Sequence, residues 1–86
     1  MAKYIVTYDL NKVGQDYSNL IKAIKAYPCS HPMESTWFVK ANVTATDLYN
    51  DLSRFIDRND SIFISEVSAT NRNGWLNQSD WDFLNS

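Results

Sequence analysis

The sequence predicts one small α+β domain, in which helices cover one face of an antiparallel sheet. Runs of β-branched and aromatic residues, typical of strands, occur at residues 4–10, 36–41 and 61–67. Two stretches between them repeat apolar residues every three or four positions, which is the pattern of amphipathic helices. The chain has 86 residues, of which 44% are hydrophobic and only two are glycine and two proline. These values indicate a single globular domain without disordered or repetitive character.

The first strand is predicted over Tyr4–Leu10, a segment apolar enough for the middle of a sheet. Its last polar residue is Asp9, and the turn-prone segment 11–16 follows directly. A group at the end of a strand is well placed for chemistry in a sheet covered by helices. Asp9 is therefore the first candidate site residue.

The next elements are read in the same way. Asp16 is the expected N-cap of a first helix that ends at Pro28. Its apolar stripe consists of Tyr17, Leu20, Ile21, Ile24 and Tyr27. Residues 29–42 predict two short strands with a kink or a tight turn near Glu34 and Ser35.

The second helix is predicted from a capping box. Thr44 and Asp47 have the required spacing, with Asp in place of the preferred Glu. We expect the apolar side chains of this helix to share one face, namely Leu48, Leu52, Phe55 and Ile56. Asn59 and Asp60 form a turn into the last strand, at residues 61–67.

The order strand, helix, two strands, helix, strand can close into a four-stranded antiparallel sheet with two helices on one face, if the crossovers are right-handed. This is the ferredoxin-like βαββαβ arrangement, in which the first and third strands are central. We assign it to residues 1–68.

Residues 69–86 form a C-terminal tail of different character. The tail is rich in Asn and Ser but carries large apolar side chains, namely Trp75, Leu76, Trp81, Phe83 and Leu84. We expect it to dock on the domain or on a partner subunit, with Trp75, Trp81 and Phe83 as partner or dimer contacts. Ser79 is the expected cap of a short last helix over residues 80–84.

Composition excludes several classes of protein. No run of about 18 apolar residues could span a membrane, and the N-terminus lacks a signal-peptide pattern, so we expect a cytosolic protein without a membrane partner. A lone cysteine, Cys29, excludes an internal disulfide and a thiolate zinc cluster. The net charge of −2 and the pI of 5.1 give no overall attraction to nucleic acid.

The strand patterns also predict a homodimer. Both alternate sets of side chains are apolar, whereas two helices cover only one face of the sheet. The other face must then be covered by the aromatic tail or by a second subunit, and two-fold dimers are the commonest assembly.

Three segments of the chain resemble one known family. These are Tyr4–Leu10, Glu34–Val39 and Ser61–Val67. They are similar to segments of the spacer-acquisition nuclease-like proteins of CRISPR systems and of their VapD-type toxin relatives, particularly the small bacterial and phage proteins described as SinR-like. The resemblance covers residues 3–67, and its motifs are short and hydrophobic.

The resemblance implies a ferredoxin-like homodimer with an aspartate at the end of the first strand of each subunit. In that family the two aspartates can share a divalent metal, here Mg²⁺, and hydrolyse phosphodiester bonds in RNA or DNA. Asp9 matches that position as catalytic and metal-binding residue, and Tyr8 and Lys12 beside it are candidates for substrate binding. The chain departs from the family in two places. Ser35–Val39 has an extra residue and no acid directly after the aromatic residue. The basic residues that the family has in the loop after the aspartate are reduced to Lys12.

Each candidate also has a purely structural interpretation. Asp9 can cap the following loop, from Asn11 to Gly14, by accepting backbone N–H bonds. Thr7 and Tyr8 can be packing residues of the strand, and His31, the only histidine, has no partners for a catalytic triad. Cations on the helices alternate with acids, as on an ordinary solvated surface.

Two main hypotheses follow from the sequence. The first is a metal-dependent endonuclease-like homodimer that acts on RNA or DNA. The second is a catalytically inactive dimer of the same fold, phage or mobile-element encoded, that binds a protein partner as a regulator through its sheet edge or acidic aromatic tail. A third, an RNA-recognition domain, lacks the glycine and aromatic signature of that class.

Overall fold

The first strand is central to the sheet. The computed structural model describes residues 1–11 and 17–86. In it β1 (Ala2–Asp9) pairs antiparallel with β3 (Thr36–Ala41) on one side and with β4 (Ser61–Glu66) on the other. β2 (Cys29–Met33) pairs with the outer edge of β3, which gives the order β2-β3-β1-β4.

The strand boundaries differ from the sequence prediction in small ways. β1 begins at Ala2 and ends at Asp9, so Leu10 lies outside the strand. The predicted turn at Glu34 and Ser35 is present between β2 and β3. β2 is irregular because its register with β3 shifts between Ser30 and Met33.

Three α-helices lie in the part of the chain that the structure describes: α1 (Ser18–Lys25), α2 (Ala45–Leu52) and α3 (Gln78–Asn85). The predicted capping box of α2 is confirmed. The N–H of Asp47 donates to Thr44 Oγ1 at 3.1 Å, and the Thr44 N–H donates to Asp47 Oδ2 at 3.3 Å.

Two predictions about helix ends need correction. α2 stops at Leu52 and a 3₁₀ turn (Ser53–Phe55) follows, so Phe55 and Ile56 lie beyond the α-helix instead of extending its face. Tyr17 occupies the N-cap position of α1, while Asp16, the predicted cap, lies outside the described residues.

The main core lies between the sheet and the first two helices. It is built from alternate residues of the central strands and the apolar stripes of α1 and α2, because side chains of a strand alternate between the two faces. The buried members are Tyr4, Val6, Leu20, Ile24, Trp37, Val39, Ala41, Leu48 and Leu52.

The third helix lies against the opposite face of the sheet, at its β2 edge. Ser30 of β2 donates a hydrogen bond to Asp80, which is only 6% exposed, and Leu84 is buried. Asn77 stands at the N-cap of α3. The prediction that Ser79 caps this helix is therefore wrong, because the helix begins one residue before Ser79.

This four-stranded antiparallel open sheet is compatible with a ferredoxin-like class. α3 covers the side of the sheet that α1 and α2 leave free, but only near β2 and β3. Phe38 is buried there, whereas Phe63 of β4, on the same face, is 63% exposed. We call the part of this face formed by β1 and β4 the open half-face.

Candidate active site at the end of the first strand

Asp9 lies at the end of β1, where the strand leaves the sheet. It pairs with Ser61, the first residue of β4, and its side chain is exposed. Within residues 1–11 and 17–86, the Asp9 carboxylate makes no hydrogen bond and no ion pair. Its strand position places the carboxylate on the open half-face, together with Ile5 and Thr7.

The surface beside Asp9 carries hydroxyl groups and one exposed aromatic ring. Thr7 Oγ1 lies 3.2 Å from Thr36 Oγ1 and 3.3 Å from the carbonyl oxygen of Ser35, to which it donates. Thr7 is also the direct neighbour of Phe63 in the ladder. A shallow depression of ≈ 230 Å³ is lined by Thr7, Tyr8, Asp9, Ser61, Ile62 and Phe63.

Tyr8 packs on the other face of the sheet, against the main core. Its hydroxyl oxygen accepts a 3.0 Å hydrogen bond from Trp37 Nε1. Its backbone contributes to the Asp9 depression, but this contact gives the side chain a structural partner in the core. Tyr8 and Asp9 are therefore neighbours in the chain, but their side chains lie on opposite faces of the sheet.

His31 has partners of its own. Its ring stacks on Trp37 with centroids 3.7 Å apart and planes at 9°. Its Nε2 donates to the carbonyl oxygen of Glu34 at 2.9 Å.

Burial raises the pKa of the Cys29 thiol, and the positive charge of Lys25 lowers it by a smaller amount. This thiol therefore lacks the lowered pKa of a reactive cysteine.

Asn11, soon after the end of β1, is bound by Asp60, a residue that the sequence placed only in a turn. Asp60 Oδ1 accepts from the N–H of Asn11 at 2.8 Å, and Oδ2 accepts from the N–H of Asp57 at 2.7 Å. The hydroxyl of Tyr17 lies 2.9 Å from both oxygens. Asp9 was expected to cap the loop from Asn11 to Gly14. Of that loop only Asn11 lies in the described residues, and its N–H is bound by Asp60.

The predicted substrate contact Lys12 and the turn residue Gly14 lie outside the described residues. The other cations do not gather at Asp9 in the described part of the chain. Arg54 forms a 2.6 Å ion pair with Asp51, and Arg72 donates to the carbonyl of Ser68. Lys22 and Lys25 are on α1 and face solvent.

The fit of a metal ion depends on the number of carboxylates. Among the described residues, no group of three or more His, Cys, Asp or Glu side chains is close enough to hold a metal. Mg²⁺ keeps several water ligands and is commonly held by one or two carboxylates together with substrate phosphates. One Asp9 gives one carboxylate ligand, the minimum for Mg²⁺, and a second copy would give the pair, so the donors fit Mg²⁺ better in a dimer.

The three tail aromatics have different surroundings. Trp81 and Phe83 are half-buried on α3, whereas Trp75 is fully exposed. Trp81 and Trp75 both line an apolar groove between the tail and the sheet. The structure therefore docks α3 on its own domain and leaves Trp75 in solvent.

Comparison with known proteins gives no identification. No family model matches the chain, and no solved structure matches it significantly. A search for membrane-spanning helices found none of sufficient length and apolarity in the described segments.

Proposed function

We propose that the protein acts as a homodimeric, metal-dependent endonuclease on RNA or DNA, with the two Asp9 carboxylates holding one divalent cation. The observation that carries this proposal is that Asp9 is an exposed carboxylate at the end of a central strand, without a partner in the described residues. Asp60, and not Asp9, binds the N–H of Asn11 in the following loop. Among the described residues, this contact takes the Asn11 N–H from the donors that Asp9 could cap.

The open half-face supports the dimer. Phe63 exposes an aromatic side chain beside Asp9, on the part of the sheet that α3 leaves uncovered. Contact between two such surfaces around a two-fold axis buries both phenyl rings and brings the two Asp9 side chains to the same end of the interface. We also infer that the first 68 residues have the ferredoxin-like topology. The strand order and the packing of α1 and α2 support this.

The proposed chemistry uses both carboxylates to hold one cation. A divalent cation supplies charge neutralisation at the phosphate and lowers the pKa of a bound water. Asp9 would hold the cation in place and contribute negative charge to a site that has no cationic side chain in the described part of the chain. The hydroxyl of Ser61, the ladder neighbour of Asp9, lies beside it and can orient a phosphate oxygen by hydrogen bonding.

The substitution Asp9→Asn tests this proposal. It keeps the size of the side chain but removes the charge that binds metal, so we expect Mg²⁺- or Mn²⁺-dependent cleavage of RNA or DNA to fall by at least about 100-fold. Gel assays of cleavage across a metal titration give the measurement. Circular dichroism should show an unchanged fold.

Asp47→Asn is the matched control. Asp47 is also an exposed acid, but it lies on α2, on the opposite face of the sheet from Asp9, and an amide at this position can still accept the Thr44 N–H. This variant should cleave like the wild type. Equal cleavage by the wild type and Asp9→Asn would remove Asp9 from the catalytic role.

A second candidate function is a catalytically inactive dimer that binds a protein partner. The net negative charge and the complete exposure of Trp75 favour it. Such a protein would keep its partner after Asp9→Asn and lose it after Trp75→Ala. A pull-down with both variants, with mass measured by light scattering, separates this function from the first; an unchanged mass and pull-down after Trp75→Ala would count against it.

A further inference from the structure

Trp75 is the most exposed large apolar side chain of the described residues. It is 100% exposed, while Trp37 is 4% exposed and Trp81 is half-buried. An indole left in water loses the stabilisation that comes from burying about 150–250 Å² of aromatic surface. A tryptophan in this position is typical of a contact residue at a protein interface.

An apolar groove lies directly beside Trp75. It has a volume of ≈ 530 Å³, which is ample for an indole ring. Ile5 and Phe38 of the sheet form its floor, and Val67, Trp81 and Leu84 contribute to its sides. Trp75 stands at the rim with its side chain in solvent, so this chain does not fill the groove with its own indole.

We propose that the groove is a binding site for the Trp75 indole of a second copy of this chain, in a reciprocal exchange. A groove and a protruding ring on the same surface are self-complementary under a two-fold axis: each copy inserts one ring and receives one. The inference adds to the dimer on which the proposed function rests, but it needs no catalysis by Asp9.

The area of such a contact is sufficient for a specific dimer. Two inserted indoles bury up to about 500 Å², and the groove walls and the adjoining open half-face add a comparable area. The sum is about 1,000 Å², which is the lower limit for a specific interface. We therefore expect a reversible dimer that dissociates on dilution.

The charges at the groove are compatible with this pairing. Glu66 and Arg72 both line it, so each copy presents one acid and one base. Glu66 is exposed, and Arg72 donates to the neutral acceptors Ser68 and Asn85. Under a two-fold axis, Glu66 of each copy can face Arg72 of the other, so opposite charges meet across the contact.

The position of the groove also agrees with a shared site at Asp9. The groove lies at the Glu66 end of β4, and Asp9 lies at the opposite end of the same ladder. A two-fold axis along the direction of β1 would bring both grooves together at one end and both Asp9 residues together at the other. One interface can then hold both features.

The first test is the dimer dissociation constant of Trp75→Ala, measured by analytical ultracentrifugation on the full-length protein. Because each copy loses one inserted ring, the constant should increase by at least about 100-fold. Tyr49→Ala is the matched control, since Tyr49 is a 46% exposed aromatic on α2, away from the groove, and should leave the constant unchanged. A Trp75→Ala constant within threefold of the wild-type value, or a wild type that remains monomeric, would overturn the inference.

The second test uses complementary variants. Val67→Asp places a charge in the groove without removing the backbone bond from its N–H to Lys3. Alone, Val67→Asp and Trp75→Ala should each dimerise weakly, because each has lost both insertions. Mixed, they should form a heterodimer that keeps one insertion, and the inference fails if two folded variants associate no better together than alone.

Iodide quenching of tryptophan fluorescence separates this inference from the proposed function. Trp75 is the exposed indole, so the quenchable fraction should decrease as the dimer forms. A dimer whose Trp75 stays quenchable would overturn the groove contact but leave an Asp9 nuclease intact. Conversely, a wild type that protects Trp75 but cleaves no nucleic acid would support the groove and remove the nuclease.

Discussion

At the scale of single residues, two aspartates near one end of the sheet have different surroundings. Asp60 accepts hydrogen bonds from two backbone N–H groups and from the hydroxyl of Tyr17. Asp9 is exposed and has no such donor in the described chain. The sequence showed that Asp60 lies in a turn, but its contact with Asn11 joins positions 49 apart, which no local pattern reveals. For the same reason the sequence left the role of Asp9 open.

These surroundings predict effects of different size on stability. Asp60→Ala removes the acceptor of two backbone N–H groups and of the Tyr17 hydroxyl, and should lower the free energy of unfolding by about 2–4 kcal/mol. Asp9→Ala removes an exposed side chain and should change it by less than about 0.5 kcal/mol. Urea denaturation followed by circular dichroism measures both. Similar losses in the two variants would give Asp9 a structural role and weaken its assignment to a site.

At the scale of elements, the sequence predicted what local patterns determine. The capping box at Thr44 and the turn between β2 and β3 were both found, because each depends on residues within a few positions of one another. The end of α2 and the start of α3 were not predicted correctly. The 3₁₀ turn after Leu52 keeps the apolar pattern of a helix, so the pattern did not show where α2 ends. Asn77 and Ser79 are both residue types that favour N-caps, so composition alone did not decide which of them caps α3.

A side-chain contact joins the two helices on the main face. The hydroxyl of Tyr27, just after α1, donates to Asp51 of α2 at 2.7 Å. Burial, together with this hydrogen bond, raises the pKa of Tyr27 to about 12. The hydrogen bond from Tyr27, followed by the one from Arg54, lowers the pKa of Asp51. The contact therefore favours a protonated Tyr27 and an ionised Asp51.

This contact predicts a pH-dependent effect of Tyr27→Phe. At pH 7 the variant should be less stable by about 1 kcal/mol, the net value of one hydrogen bond. The lowered pKa of Asp51 means that its contribution is present above its unfolded pKa and is lost as pH falls through the folded value. The difference between wild type and variant should therefore shrink below about pH 4. It should shrink again as pH rises through about 12, where Tyr27 ionises.

Urea denaturation at pH 7 and pH 3 measures this difference. Tyr49→Phe provides the control, because the Tyr49 side chain is exposed and has no hydrogen-bond partner in the described residues. A loss for Tyr27→Phe that is the same at both pH values would show that packing, and not the bond to Asp51, causes it.

At the scale of the whole molecule, the sheet is covered unequally on its two faces. α1 and α2 bury the main core, while α3 covers only the β2 and β3 side of the other face. The sequence predicted that the tail would dock, because it carries several large apolar side chains. It did not predict where, since the contact of Ser30 with Asp80 depends on the three-dimensional arrangement of segments 50 positions apart.

The packing of α3 predicts that the tail unfolds together with the domain. Leu84 is 5% exposed and lies over the sheet near Phe38, so Leu84→Ala should lower the free energy of unfolding by about 2–4 kcal/mol. Val43→Ala, at a residue that is 40% exposed, should cost much less. If the tail and sheet form one cooperative unit, Leu84→Ala should shift a single transition and speed hydrogen exchange in β1 and β3 as well as in α3. Faster exchange confined to α3 would instead show that the tail opens alone. Such an opening could expose the floor of the groove without unfolding the site at Asp9.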